Sequence, residues 1–273
     1  MKKLLLVIFA AIILPSMLYS QDYLKTSKYR QPFFSIDASF GYNQPLFDLS
    51  GGSVAEFYDF RNYAASWGYD ASVKLKFTVA NFKPSQLRVT WLLGYSRFLS
   101  DFNVAYGFKK VEPGWPTIGF QTLPQTAGTS GVSINHPYTA VGMDYVVYTD
   151  RKRSSLFSFG GDITLSVPFG KVEDHPTVKV DNDEYNNILN GTRFGFGVTA
   201  GYTVRVVEWM GLSVTSRFQL SNLIGKSSDA VSEGKDIPLN DGDATNLHPN
   251  LTSRTIGFLG INGGLTFFFG GKK

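Results

Sequence analysis

Eight times along this chain, apolar residues recur at every second position, and a period of two marks a strand with one apolar face. The runs are Phe34 to Tyr42, Trp67 to Val79, Leu87 to Tyr95, Val141 to Val147, Phe157 to Val167, Phe194 to Val206, Leu212 to Leu220 and Leu259 to Phe269. Counting every second residue from the first of each run, no position is charged. The intervening positions are mostly Ser, Thr, Gly and Asn. Among them stand Asp37, Asp70, Lys74, Lys76, Arg88, Asp144, Asp162, Arg205 and Arg217. A soluble sandwich or lipocalin-like barrel has the same period, but it keeps its outer faces rich in Lys and Glu. The small polar faces here suit a tight polar interior better than a wet exterior.

The connections separate the two architectures. Short links fall near Asn81 to Gln86, Asp150 to Ser154 and Glu208 to Gly211, and the other four are long and rich in Gly, Pro, Asn and Asp. Short turns on one rim and long loops on the other predict an all-β, eight-stranded antiparallel up-and-down transmembrane β-barrel with four long extracellular loops. Aromatic girdles are expected at both ends. Tyr42, Trp67, Tyr69, Tyr95, Phe194, Phe196 and Phe218 fall at the long-loop end, and Phe34, Phe77, Phe157, Phe267 and Phe269 at the short-turn end.

Such a barrel needs export. Met1-Lys2-Lys3 is basic, Leu4 to Leu14 is apolar, and small Ser20 precedes Gln21-Asp22, which reads as a signal peptide over residues 1–20. As a membrane anchor the apolar run is short of the ~20 residues that spanning requires. A periplasmic tail is then expected over 21–31, the barrel over 32–269 and a short tail over 270–273, with the outer membrane of a Gram-negative bacterium as the location. Of the 273 residues none is Cys, which excludes disulfide scaffolds, thiolate metal sites and thiol nucleophiles. Lys and Arg number 26 against 22 Asp and Glu, and Lys2 and Lys3 lie in the leader. The remainder is near neutral, so no nucleic-acid partner is expected.

The alternation, the long loops and the closing run Gly263-Gly264-Leu265-Thr266-Phe267-Phe268-Phe269 resemble the small outer-membrane barrels of the OmpA/OmpX kind. The Gly-, Tyr- and Phe-rich style is similar to the outer-membrane β-barrel domains of Bacteroidetes-type bacteria. The resemblance covers residues 32–269 and does not extend to a peptidoglycan-binding domain. It implies a C-terminal aromatic read by the barrel-assembly machinery, a role that Phe269 matches, although Gly270-Gly271-Lys272-Lys273 follow it.

His136, His175 and His248 all fall in predicted loops, without a nucleophile placed beside them, and read as solvated histidines. Asp181-Asn182-Asp183-Glu184 and Asn240-Asp241-Gly242-Asp243 are oxygen-rich, but neither completes a calcium loop, so both read as wet acidic tips. Gly195-Phe196-Gly197 with Gly201 lies inside a strand, where glycine gives room in a narrow lumen rather than a phosphate cradle. No metal, cofactor or catalytic residue is assigned.

The interior charges read as an ion-pair network in a lumen that side chains fill. Lys74, Lys76, Arg88 and Arg205 all fall toward the periplasmic end, which keeps a narrow solute channel as the alternative. A lipid- or peptide-cleaving barrel enzyme comes third. The leading expectation is a non-catalytic anchor in outer-membrane lipid that displays its loops to an extracellular ligand or partner. The connection from Asp101 to Pro137 holds Tyr106, Phe108, Trp115, Ile118 and Phe120, so Tyr106, Phe108, Trp115 and Phe120 are its candidate binding residues.

Overall fold

A computed structural model describes residues 28–58, 60–82, 84–101, 103–104, 108–110, 120–122, 129–174, 187–228, 236–246 and 249–270. Its main strands are β1 (Phe34–Leu46), β2 (Trp67–Asn81), β3 (Ser85–Leu99), β4 (Thr129–Tyr148), β5 (Ser155–Ser166), β6 (Arg193–Val207), β7 (Met210–Ile224) and β8 (Gly257–Phe269). Each pairs antiparallel with its neighbours in sequence, and β8 returns to β1 through Phe34↔Phe269 and Leu46↔Gly257. The sheet therefore closes on itself as an eight-stranded ring, which leaves its main strands no free edge. Among the described residues no helix is long and apolar enough to cross a membrane.

Parity along each strand sorts the side chains. Asp37, Asp70, Lys74, Lys76, Arg88, Asp144, Asp162, Arg205 and Arg217 are all buried inside the ring. The apolar positions between them face out, among them Ile163 at 72% exposure, Phe40 at 62% and Val214 at 60%. Aromatic contacts gather at the two rims. Phe34 meets Phe77 at 4.7 Å and Phe269 at 5.7 Å at the short-turn end, and Tyr69 meets Phe40 at 6.3 Å and Trp67 at 6.4 Å toward the other.

Strand β4 corrects the sequence reading most. Its apolar alternation begins at Val141, yet the strand begins at Thr129, because Ser133 to Val147 pair with β3 and Ser130 to Asn135 pair with Phe169–Asp174. Pro137 and His136 therefore lie in a strand and not in a loop, and the connection from β3 is 100–128. The extension continues sideways, since Asn187–Ile188 pairs with Phe169–Asp174 and Asp236–Ile237 pairs parallel to Asn187–Ile188.

These additions build a cap over the long-loop end. Leu49, Val54, Phe57 and Tyr63 from 47–66 pack with Val172 and Ile188 from 167–192, and with Ile237, Leu239 and Ile256 from 225–256. Phe98, Ile134 and Phe258 at the strand ends complete the cluster. The 47–66 connection also holds a one-turn helix, α1 (Val54–Tyr58). Phe47, Phe60, Ala64 and Asn240 adopt positive φ between 47° and 58°, which costs each roughly 1 kcal/mol and persists where packing over-determines the backbone.

Candidate functional site

The middle of the lumen is a polar belt to which all eight strands contribute. Lys74 of β2 lies 2.9 Å from Asp144 of β4, and Lys76 lies 2.5 Å from Asp37 of β1 and 3.8 Å from Asp144. Arg217 of β7 grips Asp162 of β5 with both terminal nitrogens, at 2.6 and 2.7 Å, and donates to Thr199 of β6 at 3.3 Å. The fork geometry explains why Arg and not Lys stands there. Among the described residues no cation lies within ion-pair distance of Asp70. Its carboxylate accepts from Ser96 of β3 at 2.9 Å, Tyr138 of β4 at 2.8 Å and Asn262 of β8 at 2.8 Å. Three donors satisfy a buried carboxylate without an ion pair.

Glycine makes this belt fit. A Cβ at Gly197 would meet the Arg217 guanidinium and, at 2.7 Å, Asp162 Oδ1, and one at Gly160 would meet Asp144 Oδ1. Of the spaced glycines of β6, Gly197 is clearance for the Arg217–Asp162 salt bridge, whereas a Cβ at Gly195 would meet the Leu220 backbone and one at Gly201 the Ser158 hydroxyl.

At the short-turn end the chain's own N-terminal tail crosses the mouth. Tyr29 N donates to Lys152 O at 3.1 Å, and Gln31 Nε2 donates to Phe82 O at 3.1 Å. Pro32 O accepts from Thr78 at 2.9 Å and from Gln86 at 3.2 Å. Arg205 donates to Arg30 O at 2.7 Å, and its guanidinium lies over Phe268 at 4.0 Å. Val146, Tyr148, Leu156 and Phe268 fill the lumen just inside. Arg88 donates to Gln86 Oε1 at 2.6 Å.

The cap has its own polar latch, which the sequence reading missed. Arg193 forms a fork on Asp241 with both bonds at 2.7 Å, and Asp241 also accepts from Asn222 at 2.8 Å and from Ser227 N at 3.0 Å. Arg254 donates to Leu239 O and Asn240 O, both at 2.7 Å, and lies over the Tyr63 ring at 4.1 Å. Burial pushes the Tyr63 phenol well above its usual range. On the surface of the cap, Asn62 at 2.6 Å and Gly52 N at 2.9 Å donate to Glu56, and these bonds hold its carboxyl below the usual range.

Two expectations are overturned here. Asp241 is fully buried rather than wet, because the acidic run supplies the counter-ion of Arg193, while Asp243 beside it stays exposed. His136 is fully buried rather than solvated, because β4 carries it under the cap between Phe98 at 6.3 Å and Phe258 at 5.7 Å. The signal that could have found Asp241 is the pairing of an isolated Arg193 at a strand start with an Asp in the next long connection.

Of the loop candidates, Phe108 and Phe120 lie on a small ribbon in which Phe108–Lys110 pairs with Phe120–Thr122. Tyr106, Trp115 and Ile118 lie outside the described residues, as do His175, His248, the run 181–184 and the leader 1–20. Phe269 closes the ring against Phe34 with its side chain half exposed. Among the described residues no three His, Asp or Glu side chains gather as a metal site.

No protein-family model and no curated protein matches the chain. Among solved structures it is similar to neisserial surface protein A, at 9% identity over 86% of this chain and 97% of that one, with a TM-score of 0.40. It is also similar to the outer membrane protease OmpT of Escherichia coli, at 10% identity over 91% and 100%, TM-score 0.40. A third is Ail, the attachment invasion locus protein of Yersinia pestis, at 9% identity over 85% and 98%, TM-score 0.33. By description the first is a surface protein, and OmpT and Ail are outer-membrane proteins.

Proposed function

We propose that the chain is a non-catalytic outer-membrane β-barrel, a rigid anchor whose capped end displays a binding surface outside the cell. One observation carries the reading: the ring is inverted relative to a soluble domain, with its apolar face exposed and its charges buried. In water such a surface drives aggregation, and in a bilayer it is the solvated one.

Three polar groups on that outer face support the reading, because they find partners within the face. Trp91 Nε1 donates to Thr139 at 2.9 Å, Tyr145 to Ser85 at 2.9 Å and Tyr95 to Asn135 at 2.5 Å. Lipid offers no acceptors, so outward indole and phenol groups are best served this way.

The belt, the tail and the cap all occupy the lumen axis, which favours an anchor over a channel. The binding surface is assigned to the cap and to the 100–128 connection, with Tyr106, Phe108, Trp115 and Phe120 as its apolar contacts, and Phe269 to recognition by the assembly machinery. The test is refolding into phosphatidylcholine vesicles, followed by conductance in a planar bilayer. Insertion with heat-modifiable gel mobility and a silent bilayer is the expected result. A steady open conductance replaces the anchor with the channel, and a chain that folds in buffer and ignores vesicles overturns the barrel. Excising 109–127 leaves folding intact and abolishes binding to cells or matrix; loss of assembly instead makes that segment part of the fold.

A further inference from the structure

The short-turn end holds three buried arginines, Arg88, Arg153 and Arg205, and among the described residues no carboxylate lies within ion-pair distance of any of them. They are linked through one group of side chains. Arg88 and Tyr148 both donate to Gln86 Oε1, at 2.6 and 2.9 Å, and Arg153 lies over the Tyr148 ring at 5.8 Å. Arg205 lies between Phe268 at 4.0 Å and Tyr29 at 5.7 Å. Four of their guanidinium nitrogens have no hydrogen-bond partner: Nε of Arg88, Nε of Arg153, and Nε and Nη2 of Arg205. The belt differs in this respect, since there each buried Lys or Arg meets an Asp.

Like charges gathered away from water are costly unless an anion joins them. A cavity of about 190 Å³ opens at the rim, with Arg205 of the three and also Arg30, Pro32, Phe268, Trp209 and Glu208 in its wall. Trp209 is exposed and stacks on Phe267 at 6.2 Å. An outward tryptophan at a barrel rim sits at headgroup level.

We infer that this cavity binds a phosphate group, held by the positive field of Arg205, Arg153 and Arg88, either as the headgroup of an inner-leaflet phospholipid or as free phosphate. Guanidinium forks match phosphate oxygens in shape and charge. Among the described residues that line the cavity, Glu208, 4.0 Å from Arg30, is the carboxylate that opposes it. The placement of the rim at headgroup depth rests on the barrel reading.

The test uses the full chain refolded in dodecyl maltoside, which contains no phosphorus. Phosphorus-31 NMR lines and unfolding midpoints are followed during titration with sodium phosphate and, separately, with dihexanoyl phosphatidylethanolamine. The expected result is several-fold line broadening and a raised midpoint. A response to the lipid alone assigns a headgroup site, and a response to inorganic phosphate assigns a site for the free anion. Arg205→Gln removes the response, and Glu208→Gln, at an exposed side chain, strengthens it several-fold even if the Arg205 variant does not refold. Sharp lines and flat midpoints with both probes, in wild type and Glu208→Gln that show heat-modifiable mobility, overturn the site and leave the barrel standing. A chain that folds in buffer and not in micelles overturns the barrel, and the headgroup assignment with it.

Discussion

The ring and the cap above it are built on opposite plans. In the ring, Arg217–Asp162 and the lysine pairs are inside, and Ile163, Val198 and Val214 are outside. In the cap, Leu49, Val54 and Ile256 are inside, and Glu56, Asp243 and Lys226 stand toward the outside, as in any water-soluble core. One chain thus solves the burial problem twice, once for each surrounding. Each half also keeps one arginine–aspartate fork at its centre, so the two can be perturbed by the same chemistry.

The largest effects come from breaking those forks. Asp162→Leu leaves Arg217 buried without its carboxylate and is expected to cost about 3–5 kcal/mol of ring stability, read by urea unfolding in vesicles. A second change, Arg217→Met, recovers much of that. Asp241→Leu strands Arg193 at a similar cost of about 3–5 kcal/mol, but the loss falls on the cap. Protease then cuts within 225–256 while the heat-modifiable mobility of the ring persists. If both variants lose the mobility shift equally, ring and cap are one cooperative unit.

Charge on the outer faces gives the next effect. Val198→Arg, on the ring at mid-depth, is expected to cost about 2–4 kcal/mol in bilayer refolding titrations. Thr252→Arg, on the exposed surface of the cap, falls within about 0.5 kcal/mol of wild type. Equal tolerance at both places removes the distinction between lipid and water on which the comparison stands.

Smaller still is the tail. Tyr29→Ala removes a buried ring beneath Arg205 and costs roughly 1 kcal/mol. With the belt and cap intact, the planar bilayer stays silent; flickering conductance in this variant locates the tighter of the two closures at the short-turn end.

The smallest effect is a pH dependence confined to the cap. Hydrogen bonds from Asn62 and Gly52 lower the pKa of Glu56 in the folded state. Its contribution is present in full above the ordinary glutamate pKa and is lost as pH falls through the depressed native value. Because the side chain is only partly buried, solvent screening keeps the effect slight. Protease cutting of the cap followed from pH 7 downward rises in wild type, and Glu56→Gln flattens the profile.

What the sequence determined by itself is parity. Whether Leu165 faces out and Thr164 in depends on successive residues pointing to opposite faces of a strand, a local rule that needs no knowledge of the partner. The eight staves, their order and the burial of Asp37, Lys74, Asp162 and Arg217 were legible for that reason. Only the tertiary structure decided the partners: Asp144 for Lys74, three neutral donors for Asp70, and Arg193 for Asp241. It also decided the start of β4 at Thr129, because pairing with β3 and with Phe169–Asp174 extends the strand through Val132, Ile134, Tyr138 and Ala140, whose apolar parity faces inward, opposite to that of Val141 to Tyr145. The cap and the tail across the mouth follow the same logic. Contacts between distant segments without a period leave no local trace, so His136 and Asp241 read as wet until the fold covered them.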